Sequence, residues 1–298
     1  MPAAHPLALT EHLPASGPDG SPLVVLVHGS LDRAASFTRV IRRLDDLHTV
    51  AYDRRGYYRS RHALPLNTTL DGHIDDLLAV VGGRPSVVVG HSYGGDIALG
   101  AALRGGPAAG IVSVVAYEPP MPWLGAWARG PDSNAAMEAS GTGNGQVAGV
   151  TGPMAGQVAA PVASVASGPP DHVSAAEAAE RFFRRMVGDA SWERLSAEAK
   201  AERWADGPAL EAELAAIRTR QAPFDITTLA VPATFGRGER SAPRHRETVG
   251  WLSEHVRDAE LVEIAGATHG AHLTHPDAFA AMIRSAMARA GHGVGSPR

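Results

Sequence analysis

The sequence predicts an α/β chain: a mostly parallel, doubly wound sheet interrupted by a helical insertion. Three observations lead there. Short β-branched apolar runs alternate with stretches at helical spacing, the order that builds a parallel sheet covered on both faces. One run passes through Gly90-His91-Ser92-Tyr93-Gly94 straight into a helical pattern. The alternation then stops for about a hundred residues and resumes near the end of the chain.

In chain order, Leu23-Val-Val-Leu-Val27 is an all-apolar strand followed by helical spacing over 35–44. Thr49–Tyr52 reads as strand, Leu70–Val81 as amphipathic helix, Ser86–Val89 as strand, Tyr93–Leu103 as helix and Ile111–Tyr117 as strand. Residues 130–168 are rich in Gly, Ala, Ser and Pro with few large apolar side chains, a composition expected of a flexible segment. Helices are expected at 177–187, 192–204 and 209–220, burying Phe182, Phe183, Met186, Trp192, Leu195, Leu210, Leu214 and Ile217. The strand and helix rhythm returns with Ala233–Phe235, a helix over 244–255, a strand at 260–264 and a last helix over 276–290. Residues 1–119 and 223–298 therefore form the core and 120–222 the insertion, a helical lid over the strand ends.

At 298 residues with 44% apolar content the chain can bury one large core. A formal charge of −4 provides no basic stripe, so neither nucleic acid nor an anionic membrane is expected as partner, and a small molecule is. No apolar run reaches the roughly 18–20 residues that cross a bilayer, and Met1–Thr10 lacks the basic and apolar regions of a secretory signal, so a cytoplasmic location is expected. With no cysteine, disulfides and thiolate chemistry are excluded. The abundance of Ala, Gly, Arg and Pro over Lys resembles a high-GC bacterial protein. None of the 14 histidines forms a His-x-x-x-His pair with an acid on a helix, so neither metal nor cofactor is expected.

The chemistry gathers around Ser92. A glycine two residues before and two after a serine permits a sharp strand-to-helix turn. That turn pushes the hydroxyl out at the sheet edge and aims the backbone N–H of Tyr93 at whatever the serine attacks. A serine hydroxyl is too weak an acid to attack unaided, so a histidine must take its proton and a carboxylate must orient that histidine. His269 follows the strand Leu261–Ile264 and a glycine turn, which brings it to the edge that carries Ser92; His272 is the alternative, and His275-Pro276 reads as a helix entrance. His28 and His91 read as buried structural residues at strand ends. Asp96, four residues past Ser92, is expected to bond to a neighbouring loop, with tuning of the site as the alternative.

Four landmarks, His28-Gly29-Ser30, Tyr52-Asp-Arg-Arg-Gly-Tyr-Tyr-Arg-Ser60, the turn at Ser92 and Gly266-Ala-Thr-His269, stand in the order found in the α/β-hydrolase family, which the chain resembles over nearly its full length. The resemblance implies Ser92 as nucleophile, His269 as base and oxyanion donors on the backbone of Ser30 and Tyr93. For the acid it implies Glu239, three residues past Gly236, with Glu118, at the end of the strand after Ser92, as the rival. Asp53 is then a local structural carboxylate and Gly56 a tight bend. Met121, Trp123, Trp127, Phe182 and Phe183 of the insertion are expected to line an apolar pocket. The implied activity is hydrolysis of a small to medium apolar carboxylic ester through an acyl-enzyme. Lactone, thioester or carbon–carbon bond hydrolysis, or a hydrolase-fold protein that only binds a ligand, are the alternatives. Serine at position 92 argues against the members that use a carboxylate nucleophile.

Overall fold

The computed structural model describes residues 7–17, 20–63, 67–124 and 174–293. Trp127, the Gly/Ala/Ser-rich stretch 130–168 and the extreme C-terminus lie outside them.

The described residues form seven strands, β1 (Leu9–His12), β2 (Leu23–Val27), β3 (Thr49–Tyr52), β4 (Ser86–His91), β5 (Ile111–Tyr117), β6 (Ala233–Gly238) and β7 (Ala259–Ile264). They form one sheet in the order β1-β3-β2-β4-β5-β6-β7, in which only β1 runs antiparallel to its neighbour. β4 lies in the middle and is buried along its whole length. β1 went unread in the sequence because Leu-Thr-Glu-His at an edge is largely exposed and contains no apolar run.

Alternate residues of each central strand feed two cores, as the period of two requires. Val25, Val27, Val88, Val114 and Ala116 pack toward one face under α2 (Leu70–Val81), α3 (Tyr93–Arg104) and α8 (Pro243–His255). Val24, Leu26, Val87, Val89, Val115 and Tyr117 pack toward the other face, under α1 (Thr38–Ile41) and α10 (Pro276–Gly293). The helix expected over 35–44 is a 3₁₀ turn (Ala34–Phe37) continuing into the single turn of α1. Among the described residues no helix is long and apolar enough to cross a membrane.

Between β5 and β6 lie α4 (Ala175–Val187), α5 (Asp189–Glu193), α6 (Ala197–Ala205) and α7 (Gly207–Arg218). Ser174 and Glu177 close a capping box at the start of α4, which satisfies two otherwise orphaned N–H groups. The single helix expected over 192–204 is two, because the Ser196 side chain accepts from Ala199 N–H and starts a new helix there. These helices share a small core of Ala179, Phe183, Trp192 and Leu210, and Leu31 of the loop after β2 inserts into it.

Two buried carboxylates fasten the insertion to the loops at the strand ends. Glu213 of α7, wholly buried, accepts from Arg54 Nη1 at 2.5 Å and from Ser30 Oγ at 2.7 Å. Burial alone would raise the Glu213 carboxyl; the equally buried Arg54 charge first, and then His73, outweigh it and hold the group below the usual carboxylate range. Asp206 accepts from Tyr58 N–H at 3.0 Å and from Arg61 Nη2 at 2.6 Å. Gly56, at φ +84°, lets the chain pass Ala209: a Cβ there would lie 2.8 Å from the Ala209 Cβ. Asp53 binds locally, accepting from Ala34 N–H and Arg59 Nε.

Arg54 also organises the loop after β2. Its Nε donates to His28 C=O and its Nη2 to Gly29 C=O, each at 2.9 Å. Its N–H donates to His28 Nε2 at 2.9 Å, while His28 Nδ1 lies 2.8 Å from Gly29 C=O. That pairing assigns the proton to Nδ1 and leaves the ring neutral. Burial first, and then the Arg54 charge, lower the His28 pKa from 6.5 to about 3.

Removing Glu213 alone strands the buried Arg54 charge, which by analogy with other buried pairs costs about 3–5 kcal/mol. Glu213→Ala is expected to lower the urea midpoint strongly, and the double variant Glu213→Leu/Arg54→Met to recover much of that loss; equal losses in both would contradict this account. For His28, the unfolded chain takes up a proton below about 6.5 that the native chain refuses until about 3. Stability therefore rises with pH inside that window and is fully present above it. Urea midpoints followed from pH 7.5 to 4 should fall below pH 6.5, with a shallower slope in His28→Gln.

Candidate active site

The turn between β4 and α3 is tightly constrained backbone. Ser92 adopts φ 53°, ψ −129°, outside the usual regions for a residue with a side chain. The turn is tight because α3 starts directly against β2 and β4: a Cβ on Gly90 would lie 2.1 Å from Gly94 O, and one on Gly94 would lie 2.2 Å from Val27 O. Backbone bonds lock it, with Ser92 N–H donating to Tyr117 C=O at 2.9 Å. Ser92 itself is half-buried at the helix N-terminus, where the first N–H groups, including that of Tyr93, have no intrahelical acceptor. The loop carrying Ser30 comes close: a Cβ on Gly29 would sit 2.9 Å from the Ser92 Cβ. The Ser30 hydroxyl is engaged by Glu213, so what it could offer toward Ser92 is its backbone N–H.

His269, on the loop after β7, has its Nδ1 2.7 Å from Glu118 Oε2. Glu118 is wholly buried at the end of β5, at φ 48°, and its other oxygen accepts from Gly238 N–H at 2.8 Å. The carboxylate bonded to His269 is therefore Glu118 and not Glu239, the first choice of the sequence reading. Glu239 is exposed and its carboxylate accepts from Gly266 N–H at 2.7 Å, bracing the turn that leads to His269. The physical reason is reach. β5 lies beside β4, so the residue ending it faces the His269 loop, whereas Glu239 leaves the end of β6 toward solvent.

Three further histidines surround this pair. The His245 ring stacks on His269 with centroids 4.7 Å apart, and the His91 ring lies 4.8 Å away on a tilt. His91 Nε2 is 2.8 Å from His269 C=O and so holds the loop backbone. His272 is buried in α9 (Ala271–Thr274), 4.1 Å from the His91 ring centroid. Burial, followed by the neighbouring imidazole, pushes His245 well below 6.5. The sequence reading missed His245. The signal was present: His245, Thr248, Val249 and Leu252 repeat on one helical face and all are buried.

Other expected positions resolve individually. Met121 is wholly buried in the core beneath α3, and Trp123 is half-buried with its ring edge-on to Phe224 at 6.1 Å. Phe183 packs on Trp192 at 5.4 Å within the insertion's own core, with Phe182 partly buried at its border. Asp96 does not bond to a neighbouring loop: among the described residues neither carboxylate oxygen has a partner, and burial raises its pKa well above the ordinary carboxylate range, which favours the neutral acid. Among the described residues two sets of ligand-type atoms lie mutually within 4.8 Å, Glu118/His245/His269 and Asp32/His91/His272.

Comparison with known proteins agrees with this architecture. The model of the family described as Alpha/beta hydrolase family matches residues 24–282. A curated relative, Lipase LipV of Mycobacterium tuberculosis, is 34% identical over 91 residues; the match spans 30% of this chain and only 34% of that lipase. Among solved structures, an alpha/beta hydrolase from Sphaerobacter thermophilus superposes with a TM-score of 0.62 at 22% identity, covering 94% of this chain and 95% of the other. A structure from work on carboxylesterases of Nitrososphaera gargenis gives 0.62 at 14% identity, covering 96% of both chains. These likenesses show the fold, and the match over residues 24–282 shows the family: the chain belongs to the alpha/beta hydrolases.

Proposed function

We propose that the chain is a serine hydrolase that cleaves a small to medium apolar carboxylic ester through an acyl-enzyme. The observation that carries the reading is the 2.7 Å bond between the wholly buried Glu118, at the end of the strand next to the Ser92 turn, and Nδ1 of the partly exposed His269. A carboxylate on Nδ1 holds the proton there and leaves Nε2 free to take the Ser92 proton; it also stabilises the imidazolium that results. Ser92 Oγ attacks the acyl carbon, and the oxyanion is received by the backbone N–H groups of Tyr93 and Ser30. His269 returns its proton to the departing alcohol. Water, deprotonated by the same histidine, then releases the acid and regenerates Ser92.

Ester as substrate class is supported by the lipase and carboxylesterase among the relatives. An apolar acyl or alcohol group suits the segment that follows β5, where Trp123 is half-buried against the core. The helices of the insertion act in this reading as a lid, held over the strand ends by Glu213 and Asp206.

A series of p-nitrophenyl esters of increasing chain length tests the proposal. Wild type should turn over, with a preferred acyl length, and Ser92→Ala should abolish turnover. Glu118→Gln, which keeps the shape of the side chain, should lower kcat by roughly 10³–10⁴-fold, as loss of the orienting carboxylate does elsewhere. Glu239→Ala should stay within a few-fold of wild type. A loss in Glu239→Ala as large as that in Glu118→Gln would overturn the assignment of the acid, and a folded wild type inert toward all esters would overturn the substrate class.

A further inference from the structure

One cluster of side chains lies outside the proposed reaction and is chemically incomplete. Asp32 stands on the loop after β2, His91 ends β4 and His272 lies in α9, and their ligand atoms lie within 4.8 Å of one another. Both imidazoles are buried, at 6% and 2% exposure. His91 Nε2 faces the His269 carbonyl at 2.8 Å. A carbonyl oxygen can only accept, so Nε2 carries the hydrogen and Nδ1 of the neutral ring presents a bare lone pair. Among the described residues that Nδ1 has no hydrogen-bond partner, and neither ring nitrogen of His272 has one. His272 Nε2 stands 3.6 Å from Asp32 Oδ2, an ion-pair contact if the imidazole is protonated but longer than a hydrogen bond. Buried polar atoms left in this state are costly, at about 1–3 kcal/mol each, and rarely remain without something to satisfy them.

We propose that Asp32, His91 and His272 bind one divalent transition-metal ion of the zinc type, through His91 Nδ1, His272 Nε2 and an Asp32 oxygen, with water in the fourth position. Two imidazoles and a carboxylate are a ligand set suited to such an ion. The outer contacts are those a metal-bound group requires. The Nε2–H of His91 is fixed by a backbone carbonyl, and Asp32 Oδ2 accepts from Ser36 Oγ at 2.9 Å. Bond lengths near 2.0–2.1 Å in a tetrahedral site put ligand atoms about 3.3–3.4 Å apart; the His272–Asp32 pair at 3.6 Å is near that spacing, and the set as a whole, within 4.8 Å, has to close around the ion. Asp32, whose side chain is 20% exposed against 3% for His272, is the ligand on the solvent side of the set. The neighbouring set Glu118/His245/His269 is a poorer host, because Glu118 and His269 already bond each other and a cation would have to break that bond. The sequence hid the site because its ligands come from three separate segments at spacings that match no metal motif.

The test is titration of the metal-free full chain with ZnCl₂ against a chromophoric chelator, with thermal melting followed in parallel. The expected result is one saturable equivalent and a melting temperature that rises with Zn²⁺ concentration. His272→Ala and Asp32→Asn should each weaken binding by more than about 100-fold, beyond what losing a supporting group costs. His245→Ala should bind as wild type does. Absence of saturable binding, affinity unchanged in Asp32→Asn, or loss of the equivalent in His245→Ala, which would put the ion on the Glu118/His269 set, each overturns the proposal. Should His272→Ala fail to fold, Asp32→Asn at the rim carries the test by itself.

Discussion

The close approach of α3 to the ends of β2 and β4 is the constraint from which the rest of the site follows. With a Gly94 Cβ excluded by Val27 O and a Gly90 Cβ excluded by Gly94 O, the chain has room for only one path, and that path drives Ser92 into a positive φ. Positive φ at a residue with a side chain is costly. It is held here by the central, fully buried position of β4 and by the Ser92 to Tyr117 backbone bond. The same geometry points the helix N-terminus at the serine and brings the Gly29–Ser30 loop to its flank. A positive φ recurs at Glu118, directly after the adjacent strand, so the residues that follow β4 and β5 both leave the sheet through sparsely populated backbone.

A second layer of organisation comes from Arg54. It bonds to two carbonyls of the loop after β2 and, through Glu213, to the last helix of the insertion. Glu213 also takes the Ser30 hydroxyl. The loop that flanks Ser92 and the insertion above it are thus coupled through one buried ion pair. Such a pair contributes specificity of arrangement more readily than net stability, since its attraction is largely offset by desolvation. It fixes where α7 docks and commits the Ser30 hydroxyl proton to Glu213.

Around His269 the histidines have distinct physical roles. His245 stacks on the ring, and His91 holds the backbone carbonyl of the same residue. His91 is also the hinge between the two clusters, since the hydrogen bond that steadies the His269 loop is the one that exposes its other nitrogen toward His272. Occupation of Asp32, His91 and His272 by a cation would therefore stiffen the His269 loop from behind without touching the proposed reacting atoms.

The sequence by itself determined the alternating strands and helices, because fully buried parallel strands must read as β-branched runs such as Ser86–Val89 and the helices between them must show an apolar face. It likewise determined the turn at Ser92, whose glycines are dictated by local sterics. The exposed edge strand β1 was not legible, since an edge strand of mixed polarity needs no pattern. The partner of His269 was also not legible: Glu118 and Glu239 both follow strand ends, and strand order in space, with β5 beside β4, decided between them. Glu213 on the buried face of α7, the stacking of His245 and the meeting of Asp32, His91 and His272 belong to the same category. Each joins residues far apart in the chain, and such pairings are set by how the layers close on one another, which local periodicity does not encode.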